Sequence, residues 1–235
     1  MSGLNAKKVE GGGGFKQPVL DAGTYPARLV QVLGLGTQKQ RPYQGQEKDP
    51  VMEISTSYEL LDEFIVDEEG NVDETKPRWL SETMPFHNLE ADRAKSTKRY
   101  YAMDADDEHD GDWKKLLGSP VMITITKTEG KNKNAGKFFN NIAGVSAMRP
   151  KEAAKAEELK NEPRLFDFYD PDIDVFMSLP KWLQDKMKEA TDFEGSDLED
   201  AIRNYKAPED EKSNDKADKE QVADKDTDTD EDGEW

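Results

Sequence analysis

Val121-Met122-Ile123-Thr124-Ile125-Thr126-Lys127 is the clearest strand in the chain, and what precedes it decides the fold class. Glu90-Ala91-Asp92-Arg93-Ala94-Lys95-Ser96-Thr97-Lys98-Arg99-Tyr100-Tyr101-Ala102-Met103 has helical composition. Residues 112–118 look like a second short helix, capped by Asp112 and stopped by Gly118. Upstream, Thr24-Tyr25-Pro26-Ala27-Arg28-Leu29-Val30-Gln31-Val32-Leu33-Gly34-Leu35-Gly36 is apolar and β-branched, its late glycines pointing to a bulge or bend. Residues 51–60 alternate, with Met52, Ile54, Tyr58 and Leu60 on one face and Glu53, Ser55, Ser57 and Glu59 on the other, a half-buried strand. Residues 67–71 are a turn, and Arg78-Trp79-Leu80-Ser81-Glu82-Thr83-Met84-Pro85-Phe86 is the return strand. Downstream of Lys127, a Gly- and Asn-rich turn leads into Lys137-Phe138-Phe139-Asn140-Asn141-Ile142-Ala143-Gly144-Val145, a fifth strand. The order β-β-β-α-β-β predicts a mainly β chain, a five-stranded OB-fold Greek-key barrel with its helix between strands 3 and 4.

That barrel accounts for residues 19–150. Residues 1–18, with glycines at 11–14 and with Lys7, Lys8 and Lys16, are expected to be a flexible arm. Residues 151–206 are expected to be a helical extension, with helices over 151–160 and from Leu179 to Met187, Pro180 in the first turn. The aromatic stretches Leu165 to Tyr169 and Ile173 to Phe176 call for packing on the barrel or on a second copy, which leaves a homo-oligomer open. Residues 207–235 are almost free of apolar side chains until Trp235, so they cannot bury enough surface to offset chain entropy, and a disordered acidic tail is expected.

The chain has 235 residues, 36% charged against 34% hydrophobic, and a net charge of -18. That charge is unevenly spread: residues 1–150 carry 20 basic and 23 acidic side chains, residues 151–206 carry 9 and 15, and residues 207–235 carry 4 and 13. Residues 62–74 hold seven acids and residues 104–112 hold six, with no Lys or Arg in either, so the rest of the first 150 residues nets +10. The framework is basic and two loops are acidic. No apolar run approaches the roughly 18 residues that cross a bilayer, and Met1 to Lys8 has no signal-peptide stretch, so a cytosolic protein without membrane contact is expected.

Cysteine is absent and His87 and His109 are the only histidines, which removes disulfides, thiolate nucleophiles and Cys-type zinc sites. Residues 106–117 can be laid on an EF-hand loop, with Asp106, Glu108, Asp110, Gly111 and Asp112 in position. Lys114 and Leu117 then fall at positions 9 and 12, where the loop needs a ligand and a bidentate Glu. Gly34-Leu35-Gly36 lacks the third glycine of a dinucleotide fingerprint, and there is no phosphate-cradling G-x-x-x-x-G-K-[ST]. No catalytic residue, metal or cofactor is assigned, and a non-enzymatic role is expected.

Bases and aromatics interleave at the loops. Lys39, Arg41, Tyr43 and Lys48 lie between strands 1 and 2. Arg78 and Trp79 open strand 3, and Lys127, Lys131, Lys133, Lys137 and Phe139 surround the turn between strands 4 and 5, with Phe138 or Phe139 expected in the core. Those two loops and the face of strands 2 and 3 are where OB-folds bind oligonucleotides. Cations that follow phosphates, beside flat rings that stack on bases, suit single-stranded nucleic acid read with little sequence preference. A second class of function is an acidic DNA mimic that blocks a host nucleic-acid-binding protein through its carboxylates.

Four stretches carry a family resemblance: Gly23-Thr24-Tyr25-Pro26-Ala27-Arg28-Leu29-Val30-Gln31-Val32, Gln40-Arg41-Pro42-Tyr43-Gln44-Gly45, Ala94-Lys95-Ser96-Thr97-Lys98-Arg99-Tyr100 and Phe139-Asn140-Asn141-Ile142-Ala143-Gly144-Val145-Ser146. Over about residues 20 to 190 the chain resembles the single-stranded DNA-binding proteins of tailed bacteriophages. The resemblance implies an OB-fold that coats single-stranded DNA during phage replication, recombination or repair in the cytoplasm of the infected host. Lys98 and Arg99, inside the third stretch, are counted with the DNA-binding residues. An acidic tail ending in an aromatic implies recruitment of replication proteins, such as a polymerase, helicase or primase, in competition with DNA for the basic groove. Here that tip is Asp230, Glu231, Asp232, Glu234 and Trp235, with Trp where Phe is more usual.

Overall fold

Alternating and β-branched segments become long strands in the computed structural model, which describes residues 15–206. They are β1 (Gly23–Gln38), β2 (Val51–Val66), β3 (Val72–Pro85), β4 (Pro120–Glu129) and β5 (Phe138–Ala147), with the helix α1 (Lys95–Met103) between β3 and β4. The strands hydrogen-bond in the order β3-β2-β1-β4-β5, each pair antiparallel. β3 and β5, the two ends of that path, return to within 8 Å of each other between Cα atoms, which makes the sheet strongly curled and barrel-like. A sixth strand, β6 (Arg164–Phe166), lies parallel to β1 at Gln31 to Leu33, where β4 no longer covers that edge.

A bulge in β1 explains how one strand serves two cores. Up to Leu29, odd-numbered residues point inward: Ala27 and Leu29 pack with Tyr58, Leu60, Val121, Ile123, Trp113 and Tyr100. Leu29 pairs with Tyr58 and Gln31 with Ser57, so Val30 is an extra residue, and an extra residue exchanges the two faces of a strand. Beyond it Val32 points inward, while Leu33 and Leu35 point outward. A second register shift falls between Gly34 and Thr37, at Gly36 with φ +74°. The late glycines therefore mark a bulge, as the sequence predicts.

Outward-pointing Leu33 and Leu35 would be exposed on a bare barrel. The chain covers them with a second core in which Phe166, Phe168, Phe176, Leu179, Leu183, Met187 and Leu198 meet. These come from β6, α3 (Ile173–Ser178), α4 (Lys181–Lys188), α5 (Asp197–Asn204) and, for Phe168 and Leu179, the connections between them, all following the one-turn helix α2 (Pro150–Ala153). Asp172 and Ser196 cap α3 and α5 with their side chains.

Several local expectations change. The helix expected over 151–160 stops at Ala153, because β1 and β2 side chains hold the backbone of residues 156–161 in an irregular path. The helix expected from Glu90 starts at Lys95, and that expected over 112–118 is a single 3₁₀ turn at Trp113–Leu116, with Asp112 accepting from the Lys114 N–H. The arm expected to end at residue 18 is already held at Gln17, whose side-chain amide pairs with both the N–H and the C=O of Val66. Asn140 clasps the backbone of Leu20 in the same two-bond way, and Leu20 is buried in the barrel core. The tail over 207–235 lies outside the described residues, as does most of the N-terminal arm.

Candidate nucleic-acid interface

The loop between β1 and β2 closes on a two-residue turn. Tyr43 and Gln46 exchange both backbone hydrogen bonds at 2.9 Å around Gln44 and Gly45, whose φ values of 50° and 78° suit the type I′ turn of a tight hairpin. Tyr43 sits at this tip, 52% exposed, with the Lys48 ammonium 4.8 Å from its ring centroid. Lys39 and Arg41 are exposed on the segment between the end of β1 and the tip. The hairpin thus presents one ring with a cation on it and two more cations beside it.

β4 and β5 form a matching projection. Lys127 is two residues beyond Ile125, the last core residue of β4, and Phe138 is four residues before Ile142, the first core residue of β5. Both lie on the face that is interior lower down, but here the hairpin has passed the rim of the barrel, so they reach solvent. Phe138 is 47% exposed and the Lys127 ammonium stands 5.4 Å from its ring centroid, an arrangement like that of Tyr43 and Lys48. Phe139 points the other way and packs on Gly130, where an added Cβ would come within 2.6 Å of its ring. Of this adjacent pair, the exposed ring is therefore Phe138 and not Phe139, on which the sequence reading settled. Lys131 and Lys137 are exposed around the turn Asn132–Asn134, and the backbone of Lys133 lies within it.

The register places the two hairpins at opposite ends of the β1–β4 ladder: Gly23, the start of β1, faces Ile125 near the end of β4, whereas the first hairpin leaves the far end of β1. Between them lies the outward face of β1, β2 and β3, with Arg28 directly opposite Glu59, Gln31 opposite Ser57, and Trp79 opposite Glu59 on the other side. The sequence predicts a solvated face of β2 here, yet Ser55, Ser57 and Glu59 are all buried, Glu59 to 1% exposure. Residues 160 and 161 cover Glu59, and the Ser57 hydroxyl is bonded to the Gln31 side chain and to Ser81. The Arg28 guanidinium donates to the carbonyls of Ala156, Glu157 and Gly118 at 3.1, 2.7 and 2.7 Å and meets the Glu158 carboxylate at 3.1 Å. The Glu59 carboxylate accepts from the Lys160 N–H at 2.7 Å, the Asn161 N–H at 3.3 Å and the Asn161 side-chain amide at 2.7 Å. The same carboxylate takes the Trp79 indole N–H at 3.2 Å, so Trp79 is half-buried against this cover. No sequence signal distinguishes Arg28 and Glu59 from ordinary solvated charges, because what buries them is about 100 residues away in the chain.

The remaining predicted residues stand elsewhere. Arg99 is buried and committed to Glu82, at 2.7 Å through Nε and 3.2 Å through Nη2, which removes it from a phosphate track. Its neighbour Lys98 is exposed on α1 and lines an open cleft of about 480 Å³ with Tyr101, Asp92 and Val145. Arg78 points to the opposite side of β3 from Trp79 and is half-buried; burial lowers its pKa, which nearby Glu63 and Tyr25 raise. Asp230, Glu231, Asp232, Glu234 and Trp235 fall outside the described residues.

The acidic loop at 104–112 is organised by Asp104. Its carboxylate accepts from the N–H groups of Glu108 and His109 and from the Tyr100 hydroxyl, which in turn accepts from the Gly111 N–H. Burial and the Asp104 carboxylate push the Tyr100 hydroxyl up to about 12. Burial raises the Asp104 carboxyl too, but its three hydrogen bonds outweigh that and hold it below the ordinary value. Among the described residues no group of three His, Cys, Asp or Glu side chains is placed to hold a metal ion, and no helix is long and apolar enough to cross a membrane. No protein-family model and no curated protein matches the chain.

Proposed function

We propose that the chain binds single-stranded DNA with little sequence preference, as an OB-fold barrel whose β1–β2 and β4–β5 hairpins make the contacts. The observation that carries this reading is the repeated pairing of an exposed ring with a lysine at the two hairpins, Tyr43 with Lys48 and Phe138 with Lys127. A ring can stack on a base only where the base is not already stacked in a duplex, and ammonium groups at its side follow phosphates whatever the sequence. The strand order β3-β2-β1-β4-β5 and a helix between β3 and β4 support the OB-fold part, because that is the strand path of such a barrel. The resemblance to phage proteins supplies the setting: DNA replication, recombination or repair in an infected bacterial cell, with the acidic tail recruiting a polymerase, helicase or primase.

The test is anisotropy of a labelled oligo-dT titrated with the full chain, with unlabelled duplex DNA and RNA as competitors, at two salt concentrations. Binding that weakens steeply with salt and resists duplex competitor is the expected result. No binding at low salt, even after removal of residues 207–235, would overturn the reading and favour the acidic mimic, which is indifferent to oligonucleotides.

A further inference from the structure

The outward face of β2 and β3 is the floor on which an oligonucleotide lies in an OB-fold, between the two hairpins. In this chain part of that floor is occupied by the chain itself. Glu59 of β2 is buried beneath residues 160 and 161, while Ser81 and Thr83 of β3, on the same side, are exposed. How the cover is held matters. Arg28 and Glu59, opposite each other on neighbouring strands, act as two clamps of opposite sign: the guanidinium takes carbonyls at 156 and 157, and the carboxylate takes amides at 160 and 161. Both clamps grip mainly backbone, and Glu158 and Asn161 add one side-chain bond each. The Lys160 ammonium is held by the Glu74 carbonyl and the Phe64 ring, and water can replace every one of these hydrogen bonds. From residue 155 to residue 162 the only large aliphatic side chain is Leu159, and it is half-buried. Large apolar contact resumes at Leu165 and Phe166, inside the second core and its border with the first. A segment with few buried apolar contacts, fixed at both ends to stable structure, sits at the low end of local opening free energies.

Resting on the single-strand reading, we propose that residues 155–163 are a strap over the floor of the binding face, which single-stranded DNA displaces. Lifting the strap uncovers two opposite charges on the floor, Arg28 and Glu59, and carries away slightly more acid than base: three exposed carboxylates, Glu157, Glu158 and Glu162, against two lysines, Lys155 and Lys160, a net charge of -1. The Nε and Nη2 of Arg28, now spent on strap carbonyls, become available to a phosphate while Nη1 stays on the Gly118 carbonyl, and the Trp79 ring loses its cover. The apparent affinity is then the intrinsic affinity reduced by the fraction of molecules with the strap open.

A full-length Glu158→Ala/Asn161→Ala variant removes the strap's own side-chain bonds to Arg28 and Glu59 while leaving the floor and both hairpins intact. Loosening the strap should tighten oligo-dT binding by about three- to tenfold. In the wild-type chain, saturating oligo-dT should accelerate amide hydrogen exchange at Lys160 and Asn161. A purely structural segment gives the reverse, weaker or equal binding on loosening. A variant that binds no tighter, or wild-type exchange at Lys160 and Asn161 that oligo-dT slows or leaves unchanged, overturns the strap. A wild-type chain that binds no oligo-dT at all overturns the single-strand reading itself, and the strap's role with it, so the two failures are told apart by the wild-type titration.

Discussion

Phe138→Ala and Phe139→Ala are adjacent substitutions of the same chemistry, and the structure requires opposite phenotypes from them. Phe138 is 47% exposed with the Lys127 ammonium on its ring, so truncation costs the fold chiefly an exposed cation–π contact of about 0.5–1 kcal/mol. Stacking on a base is worth about 1–3 kcal/mol per ring, and loss of the ring should therefore raise the dissociation constant for oligo-dT by roughly 5- to 150-fold. Phe139 is half-buried against Gly130. Truncating a fully buried Phe costs about 3–5 kcal/mol, so this one should cost about 2 kcal/mol. In a chain of this size that lowers the melting temperature by roughly 4–8 °C, with binding at low temperature little changed. Anisotropy with labelled oligo-dT and thermal unfolding followed by circular dichroism, on both variants, give the two readouts. Unchanged binding by Phe138→Ala, or lost binding by Phe139→Ala at unchanged stability, would refute the assignment of these two rings.

Two further outcomes follow from local geometry and charge. Gly36 and Gly45 share left-handed backbone, φ +74° and +78°, but a Cβ at Gly36 would lie 2.7 Å from the Phe168 ring and 2.9 Å from Ala190 Cβ, whereas Gly45 has nothing within 4 Å. Ala at position 45 should cost about 1–2 kcal/mol and at position 36 about 2–5 kcal/mol in denaturant unfolding; equal costs would contradict the packing of the second core on β1. Asp192 is raised by burial, but hydrogen bonds from the Tyr169 and Thr37 hydroxyls and the Thr37 N–H bring it net below its ordinary value of 3.8, and Asp104 is depressed likewise. A depressed carboxyl stabilises the fold fully above its unfolded value, and that contribution is lost as pH falls through the folded one. Melting temperature should therefore fall between about pH 5 and about pH 2, and Asp192→Asn should make the fall shallower; an unchanged slope would remove Asp192 from the account.

How much of this was legible in the sequence differs by element. Period-two alternation with turn residues between exposes β2, β3, β4 and β5 directly, and the composition of residues 90–103 exposes α1, because each is decided by neighbours a few positions away. The inward face of β2 was legible for the same reason. Its outward face was not: Glu59 looks like any solvated Glu, and only the return of residues 160 and 161 buries it. Position 151 onward looks helical on propensity, yet beyond Ala153 Arg28 and Glu59 draw its backbone into an irregular path, a tertiary override of a weak local preference. The hairpin aromatics were legible as a group, since rings and lysines cluster at two turns. Which of Phe138 and Phe139 is exposed depends on how far β4 and β5 run past the rim of the barrel, and alternation alone does not give that length. Arg99 is indistinguishable from Lys98 in sequence; one helical position separates burial against Glu82 from solvent.

The extra residue at Val30 has a consequence for the order of synthesis. It turns Leu33 and Leu35 toward a core whose other members end at Leu198, about 160 residues later in the chain. At roughly 5–20 residues per second, a ribosome takes about 8–32 s to supply them. Throughout that interval the growing chain carries an uncovered apolar stripe along one of its two 16-residue strands, so the growing chain, rather than the finished one, is the form of this protein that most needs a chaperone.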